Sequence, residues 1–276
     1  MPTFAHNNMS KSIAIAGMGW LGLPFSQHLM TLGYLVKGSV TTPEKAQKLQ
    51  KNGFNVYPVE ISEAGITGEI EPLLDKVEYL VIMIPPGLRR NTGANFVLKM
   101  TRLLNEVEKY SVQKVILISS TSVYADDQGN VTERDLPKPE TNSGKQLFEV
   151  EQLFFNAPFI KTTIVRFGGL FGGSRQPARY LAGRENLLDG NAPVNLIHRE
   201  DCIAILSEII KKDRFGYIFN AVLPQHPTKA EYYTKKAKHL NLIPPTFSKT
   251  EKNEVFKQVD SENINLHLDY SFKNPL

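Results

Sequence analysis

The sequence predicts an α/β fold: a doubly wound parallel sheet followed by a smaller C-terminal region. Two observations carry that expectation. Short apolar runs alternate with helix-length amphipathic segments through the first part of the chain, as in parallel strands covered on both faces. The first of these runs ends in Gly17-Met18-Gly19-Trp20-Leu21-Gly22, a glycine turn between a strand and a helix.

The elements follow in order. Residues 12–16 read as the first strand, and 24–32 as the helix after it, closed by Gly33. Residues 34–40 read as a second strand, and 43–51 as a helix with proline in its first turn. A third strand is expected over 54–61. A fourth, over 79–84, is stopped by Pro85-Pro86-Gly87. Residues 94–110 form a helical pattern with Phe96, Met100, Leu103, Leu104 and Val107 on one face. Residues 114–118 are the fifth strand. A helix over 146–155 places Leu147, Val150 and Phe154 on a core face; a strand over 162–165 and a helix over 200–211 follow. After Leu223 the texture changes: prolines stand at 224, 227, 244 and 245 around a helix over 229–240. We expect a frayed N-terminus over 1–11, a nucleotide-binding domain over 12–170, and a smaller region over 171–276 interleaved with the same sheet.

Composition excludes several classes. The 276 residues carry 32 basic and 28 acidic side chains, a net charge of +4 without a dense basic stripe. Nucleic acid is therefore not an expected partner. The single cysteine, Cys202, cannot form an intramolecular disulfide or a cysteine-cluster metal site. It fits a reducing, cytoplasmic compartment. No apolar run approaches the ~18 residues that span a bilayer, so no membrane partner is expected. A monomer or homodimer acting on a small molecule is the expectation that remains.

The glycine turn has a mechanism. The first glycine permits a tight turn, the second lets backbone approach a pyrophosphate, and the third allows close helix–sheet packing. The helix N-terminus offers N–H groups and the positive end of its dipole to phosphate. Gly17, Gly19, Trp20, Leu21 and Gly22 are thus candidates to bind a dinucleotide on a Rossmann fold. An acid at the end of the second strand would bond the ribose 2′-hydroxyl of NAD. Here the strand runs into Thr41, Thr42 and Lys45 with no acid at its end, so NADP is expected rather than NAD. Glu60 and Ile61 end the third strand and would flank adenine. Ile84, Pro85 and Pro86 end the fourth and would wall the ribose and nicotinamide. Arg89 and Arg90, which follow, could meet an anionic substrate.

Three further stretches carry a resemblance. The fifth strand runs into Ser119-Ser120-Thr121-Ser122-Val123-Tyr124. Residues 163–172 read Thr-Ile-Val-Arg-Phe-Gly-Gly-Leu-Phe-Gly, and residues 194–201 end in His198-Arg199-Glu200-Asp201. In order and spacing the chain resembles the extended short-chain dehydrogenases, the NAD-dependent epimerase/dehydratase family, from Ser12 onward. That resemblance implies a Rossmann domain with a C-terminal substrate region and a reaction on a sugar-like or nucleotide-sugar molecule. It implies that Ser120 stabilises an oxyanion and that Lys145 bonds the nicotinamide ribose. Ser119 and Phe167 would line the cofactor, and Arg179 and Asn195 the substrate; Arg166 is a further substrate candidate, though an arginine there is more often structural, bonding a carbonyl or carboxylate.

One position departs from the pattern. The family's Tyr-x-x-x-Lys stands here as Thr141-Asn142-Ser143-Gly144-Lys145. A threonine hydroxyl is too weak an acid to serve as a general base near neutral pH. Tyr124 is the nearest tyrosine to Ser120 and the candidate replacement. In the wider family the matching tyrosine usually lines the pocket. His198 is more simply a structural histidine, and Asp201 a cap or ion-pair partner. Without the tyrosine, an alternative is a cofactor-binding redox sensor or regulatory protein with little catalysis.

Overall fold

The computed structural model describes residues 11–87, 94–248 and 256–276. The expectations for residues 1–10 and for Arg89 and Arg90 lie outside the described residues. In chain order the elements are β1 (Ser12–Ala16), α1 (Gly22–Thr31), β2 (Leu35–Val40), α2 (Pro43–Gln50), β3 (Asn55–Ile61), β4 (Ile66–Gly68), α3 (Ile70–Leu74) and β5 (Tyr79–Ile82). Then come α4 (Phe96–Lys109), β6 (Lys114–Ser120), β7 (Gly129–Val131), α5 (Asn142–Phe155), β8 (Lys161–Phe167), β9 (Gly169–Phe171) and α6 (Ala178–Leu181). There follow β10 (Leu196–His198), α7 (Arg199–Lys211), β11 (Ile218–Ala221), α8 (Lys229–His239) and β12 (Lys257–Val259), and then a π-helical turn over Ile264–Leu268.

Eight strands form one sheet in the order β11-β8-β6-β5-β1-β2-β3-β4. All its pairings are parallel except that of β4 with β3. The chain leaves β1 for β2 on one side and returns as β5 on the other. The strand order therefore reverses beside β1, and open α/β sheets take ligands in the crevice at such a reversal. β11 comes from well beyond residue 170, so the two stretches of chain share this sheet.

Alternation along the strands divides the core. Ile13 and Ile15 face α1 and α7, packing with Phe25, Leu29, Leu206 and Ile209. Ala14, between them, faces the other layer, where Met100, Leu103, Leu147 and Phe154 come from α4 and α5. Fully burying one such side chain stabilises by about 1.5–3 kcal/mol.

Six of the eight sheet strands are those expected; the short β4 and β11 are not among them, and the other differences in the sheet and its longer helices lie at element ends. β5 ends at Ile82, two residues short of the expected end, with the Met83 N–H still donating to the Ala16 carbonyl at 2.9 Å before the chain reaches Pro85. α5 starts at Asn142, four residues earlier than apolar periodicity indicates. Its first turn is polar, and Thr141 caps it by accepting from the Gly144 N–H at 3.0 Å.

Candidate dinucleotide and substrate site

Each glycine of the turn has a distinct surrounding. Gly17 has φ +111°, and a Cβ there would lie 3.1 Å from the Met83 carbonyl at the end of β5. A Cβ on Gly22 would lie 2.2 Å from the Gly17 carbonyl, so only glycine lets α1 start against the turn. A Cβ on Gly19 would meet nothing within 4 Å. The second glycine therefore faces open space, where a pyrophosphate can approach the backbone. No side chain caps the N-terminus of α1.

The turn is tied down from β2. Ser39, buried at that strand's end, accepts from the Gly17 N–H with its hydroxyl at 3.2 Å. Its carbonyl accepts from the Met18 N–H at 2.8 Å. Met18 fills the space over Gly38, whose added Cβ would lie 2.5 Å from Met18 Cγ. Sequence reasoning missed Ser39; its signal was a small hydroxyl residue where an acid is usual. Beyond it, Thr41 and Lys45 are exposed. Thr42 caps α2, accepting from the Lys45 N–H at 3.4 Å.

Two strands away the end of β6 meets the start of α5. Neighbouring strands lie about 4.8 Å apart, which puts this corner roughly 10 Å from β1. Ser119 is 6% exposed, and its hydroxyl has no hydrogen-bond partner among the described residues. A buried orphan hydroxyl is costly and points to a missing partner. The Ser120 hydroxyl accepts from the Ser122 N–H at 3.2 Å and caps the short 3₁₀ turn over Thr121–Val123. Gly144 sits directly on that turn, its added Cβ 2.6 Å from the Ser122 carbonyl. Ser119, Ser120, Thr141 and the first turn of α5 with the exposed Lys145 are thereby gathered at one corner. The open face at Gly19 and the orphan hydroxyl at Ser119 together fit a dinucleotide lying across the strand ends.

Four expected site residues have other work. Tyr124 is 1% exposed; its hydroxyl accepts from Arg166 Nη1 at 2.7 Å and lies 2.9 Å from the Thr132 carbonyl and 3.1 Å from Asn220 Oδ1. Burial pushes its pKa up, against the pull of Arg166. It therefore cannot replace the family's tyrosine as an accessible base. Arg166, also 1% exposed, is forked on Glu151, with Nη2 to Oε2 at 2.6 Å and Nε to Oε1 at 3.0 Å. It is an internal ion pair, not a substrate contact. Asn195 uses both ends of its amide on β12, donating to the Lys257 carbonyl at 2.7 Å and accepting from the Val259 N–H at 2.8 Å. Phe167 is 2% exposed, in the core.

The remaining candidates are simply placed. Arg179 is exposed on the short α6. Glu60 is exposed and Ile61 half-buried at the end of β3. Ile84 and Pro86 are half-buried and Pro85 exposed beyond β5. His198 caps α7 by accepting from the Glu200 N–H at 3.3 Å. Asp201, fully buried, accepts from Tyr270 Oη at 2.7 Å, the Lys273 N–H at 2.9 Å and Asn274 Nδ2 at 3.1 Å. Trp20 is half-buried beneath the guanidinium of Arg175.

No family model matches the sequence. The chain is 33% identical over 271 residues to Protein YeeZ of Escherichia coli strain K12, covering 96% of this chain and 98% of the relative. The chain belongs to the YeeZ family. Two solved structures extend the likeness of this YeeZ-family chain. UDP-glucuronic acid 4-epimerase from Bacillus cereus, in complex with UDP-glucuronic acid and NAD, is 21% identical at a TM-score of 0.77, covering 96% of this chain and 95% of that one. A putative NAD-dependent epimerase/dehydratase from Methylobacillus flagellatus is 22% identical at 0.69, covering 95% and 93%. The fold of this chain is thus the Rossmann-like, extended short-chain dehydrogenase-type fold seen in those NAD-dependent epimerase/dehydratase structures. No helix among its described residues is long and apolar enough to cross a membrane.

Proposed function

We propose that the protein binds NAD(P) and is an oxidoreductase or epimerase for a sugar-like or nucleotide-sugar molecule, acting in the cytoplasm as a monomer or homodimer. The observation that carries this reading is the glycine turn, open at Gly19, on the same sheet edge as the orphan Ser119 hydroxyl and the first turn of α5. The UDP-glucuronic acid and NAD named for the Bacillus cereus structure support the substrate class and the cofactor. When bound, the nicotinamide supplies hydride acceptance or donation. Ser119 would donate to the cofactor, Ser120 would hold a substrate oxygen, and Lys145 would supply positive charge beside the ribose. Replacing Ser120 or Lys145 by alanine is expected to lower turnover about 100-fold, within the usual range for positioned proton-transfer groups. Unchanged turnover in both variants would overturn the site assignment.

For the cofactor, NADP is favoured over NAD by the absence of an acid at the end of β2 and by the exposed Lys45. Calorimetric Kd values for NADPH and NADH test it, and clearly tighter NADH binding would refute the preference.

The buried Tyr124 hydroxyl favours a second reading: a cofactor-responsive regulator with little catalysis. By its spacing from Lys145, Thr141 takes the position of the family's tyrosine in this reading, and it caps α5. Restoring it as Thr141→Tyr separates the two. Gained turnover in an inactive protein supports a scaffold that has lost its base. Loss of an existing turnover supports a different mechanism that uses Thr141.

A further inference from the structure

The loop after β9 brings one guanidinium onto the ring of Trp20, a residue of the glycine turn. Gly172 and Arg175 exchange backbone hydrogen bonds, each 3.0 Å, closing a four-residue turn. Gly172, at φ +100°, lies on the His198 ring; an added Cβ would be 2.3 Å from Nε2. Gly173, at φ +54°, lies on Arg199; its Cβ would be 2.7 Å from Nη1. Both positions favour glycine for their backbone, and Gly172 also for space, since its Cβ would run into the His198 ring. Seated this way at the start of α7, the loop places the Arg175 guanidinium 4.4 Å from the centre of the Trp20 ring. Trp20 follows Gly19 within the phosphate turn itself.

The charges around that ring are unequal. Arg199 reaches it at 5.4 Å, but its guanidinium is paired with Glu200 at 3.2 Å. Arg175 is exposed and has no carboxylate partner among the described residues. The indole N–H is buried without an acceptor, so stacking and packing, not a hydrogen bond, fix the ring. An unpaired planar cation is thus held on the side chain that follows Gly19 in the turn, and a guanidinium can fork onto a diphosphate where an ammonium cannot.

We propose that Arg175 neutralises the diphosphate of the bound dinucleotide and that Trp20 holds it in position. This rests on the dinucleotide reading above and extends it to the residue from the C-terminal stretch that closes the site. Binding is then expected to couple the 172–175 loop to the phosphate turn.

Trp20 is the only tryptophan in the chain, so its emission reports this site alone. The test is titration of NADH and NADPH into the wild type, Arg175→Gln and Arg175→Lys, read by Trp20 emission and by calorimetry. Arg175→Gln should weaken both cofactors alike, by about tenfold or more, as for loss of a charge-assisted pair. It should also flatten the salt dependence of Kd, while the ligand-free melting temperature stays put. Arg175→Lys should recover part of the loss. Unchanged affinity in Arg175→Gln would overturn the proposal. So would loss of NADPH binding alone, which would move the contact to the 2′-phosphate. A wild type that binds neither cofactor at millimolar concentration would instead overturn the dinucleotide reading, and this one with it.

Discussion

Arg166→Ala is expected to remove about 3–5 kcal/mol of folding stability, because it strands the Glu151 carboxylate in the core without a counter-charge. Both side chains of the pair are essentially unexposed, at 2% and 0%. The loss also takes away the hydrogen bond from Nη1 to Tyr124. Urea denaturation would show it as a lower midpoint at unchanged slope. The double replacement Arg166→Met with Glu151→Leu should regain most of the loss, since apolar residues of similar volume often match a buried pair. If Arg166→Ala unfolds at the wild-type midpoint, the pair is not the fold's internal clasp. The substrate role set aside above would then be open again.

Gly19→Ala and Gly22→Ala should separate binding from folding. Gly19 has ordinary negative-φ backbone and empty space where its Cβ would go, so the alanine variant should melt like the wild type. The methyl group would occupy the approach to the turn. Overpacking of that kind costs about 1–3 kcal/mol, or roughly 5- to 150-fold in Kd for the dinucleotide. Gly22→Ala should damage both, because its methyl would run into the Gly17 carbonyl at 2.2 Å. Calorimetry and thermal melts on the two variants check this. A Gly19→Ala protein with undiminished cofactor affinity would show that the open face of the turn is not where phosphate approaches.

The parts legible in the sequence are those written in local pattern. The glycine turn, six of the sheet's eight strands and the Ser119–Tyr124 signature each lie within a few consecutive residues. The parts that were not legible depend on distant segments. Asn195 pairs with residues 257 and 259, and Ser39 reaches back to Gly17. One miss had a visible signal. Glu151 follows Leu147 by four residues and precedes Phe154 by three, so it shares their apolar face. An acid there demands a buried cation, and Arg166, alone among apolar neighbours in the next strand, was the available one. Read together, those two residues would have withdrawn Arg166 from the substrate list. Tyr124 was misjudged for a related reason: proximity to Ser120 in sequence says nothing about which side of the strand end the phenol occupies. The early start of α5 was hidden because a threonine cap followed by Asn-Ser-Gly carries no apolar period.

The anchoring of Asp201 bears on how the chain is made. Its carboxylate sits at 0% exposure in α7, and its hydrogen-bond donors are all in residues 270–274. During synthesis at about 5–20 residues per second, α7 emerges several seconds before those donors exist. Until then a charged group on its inner face has no partner, and α7 cannot dock fully on α1 and the strands beneath. Full packing of α7 is therefore expected only once residues 270–274 have been made. A nascent chain stalled before residue 270 is expected to be cleaved faster around α7 than one that includes residues 270–274.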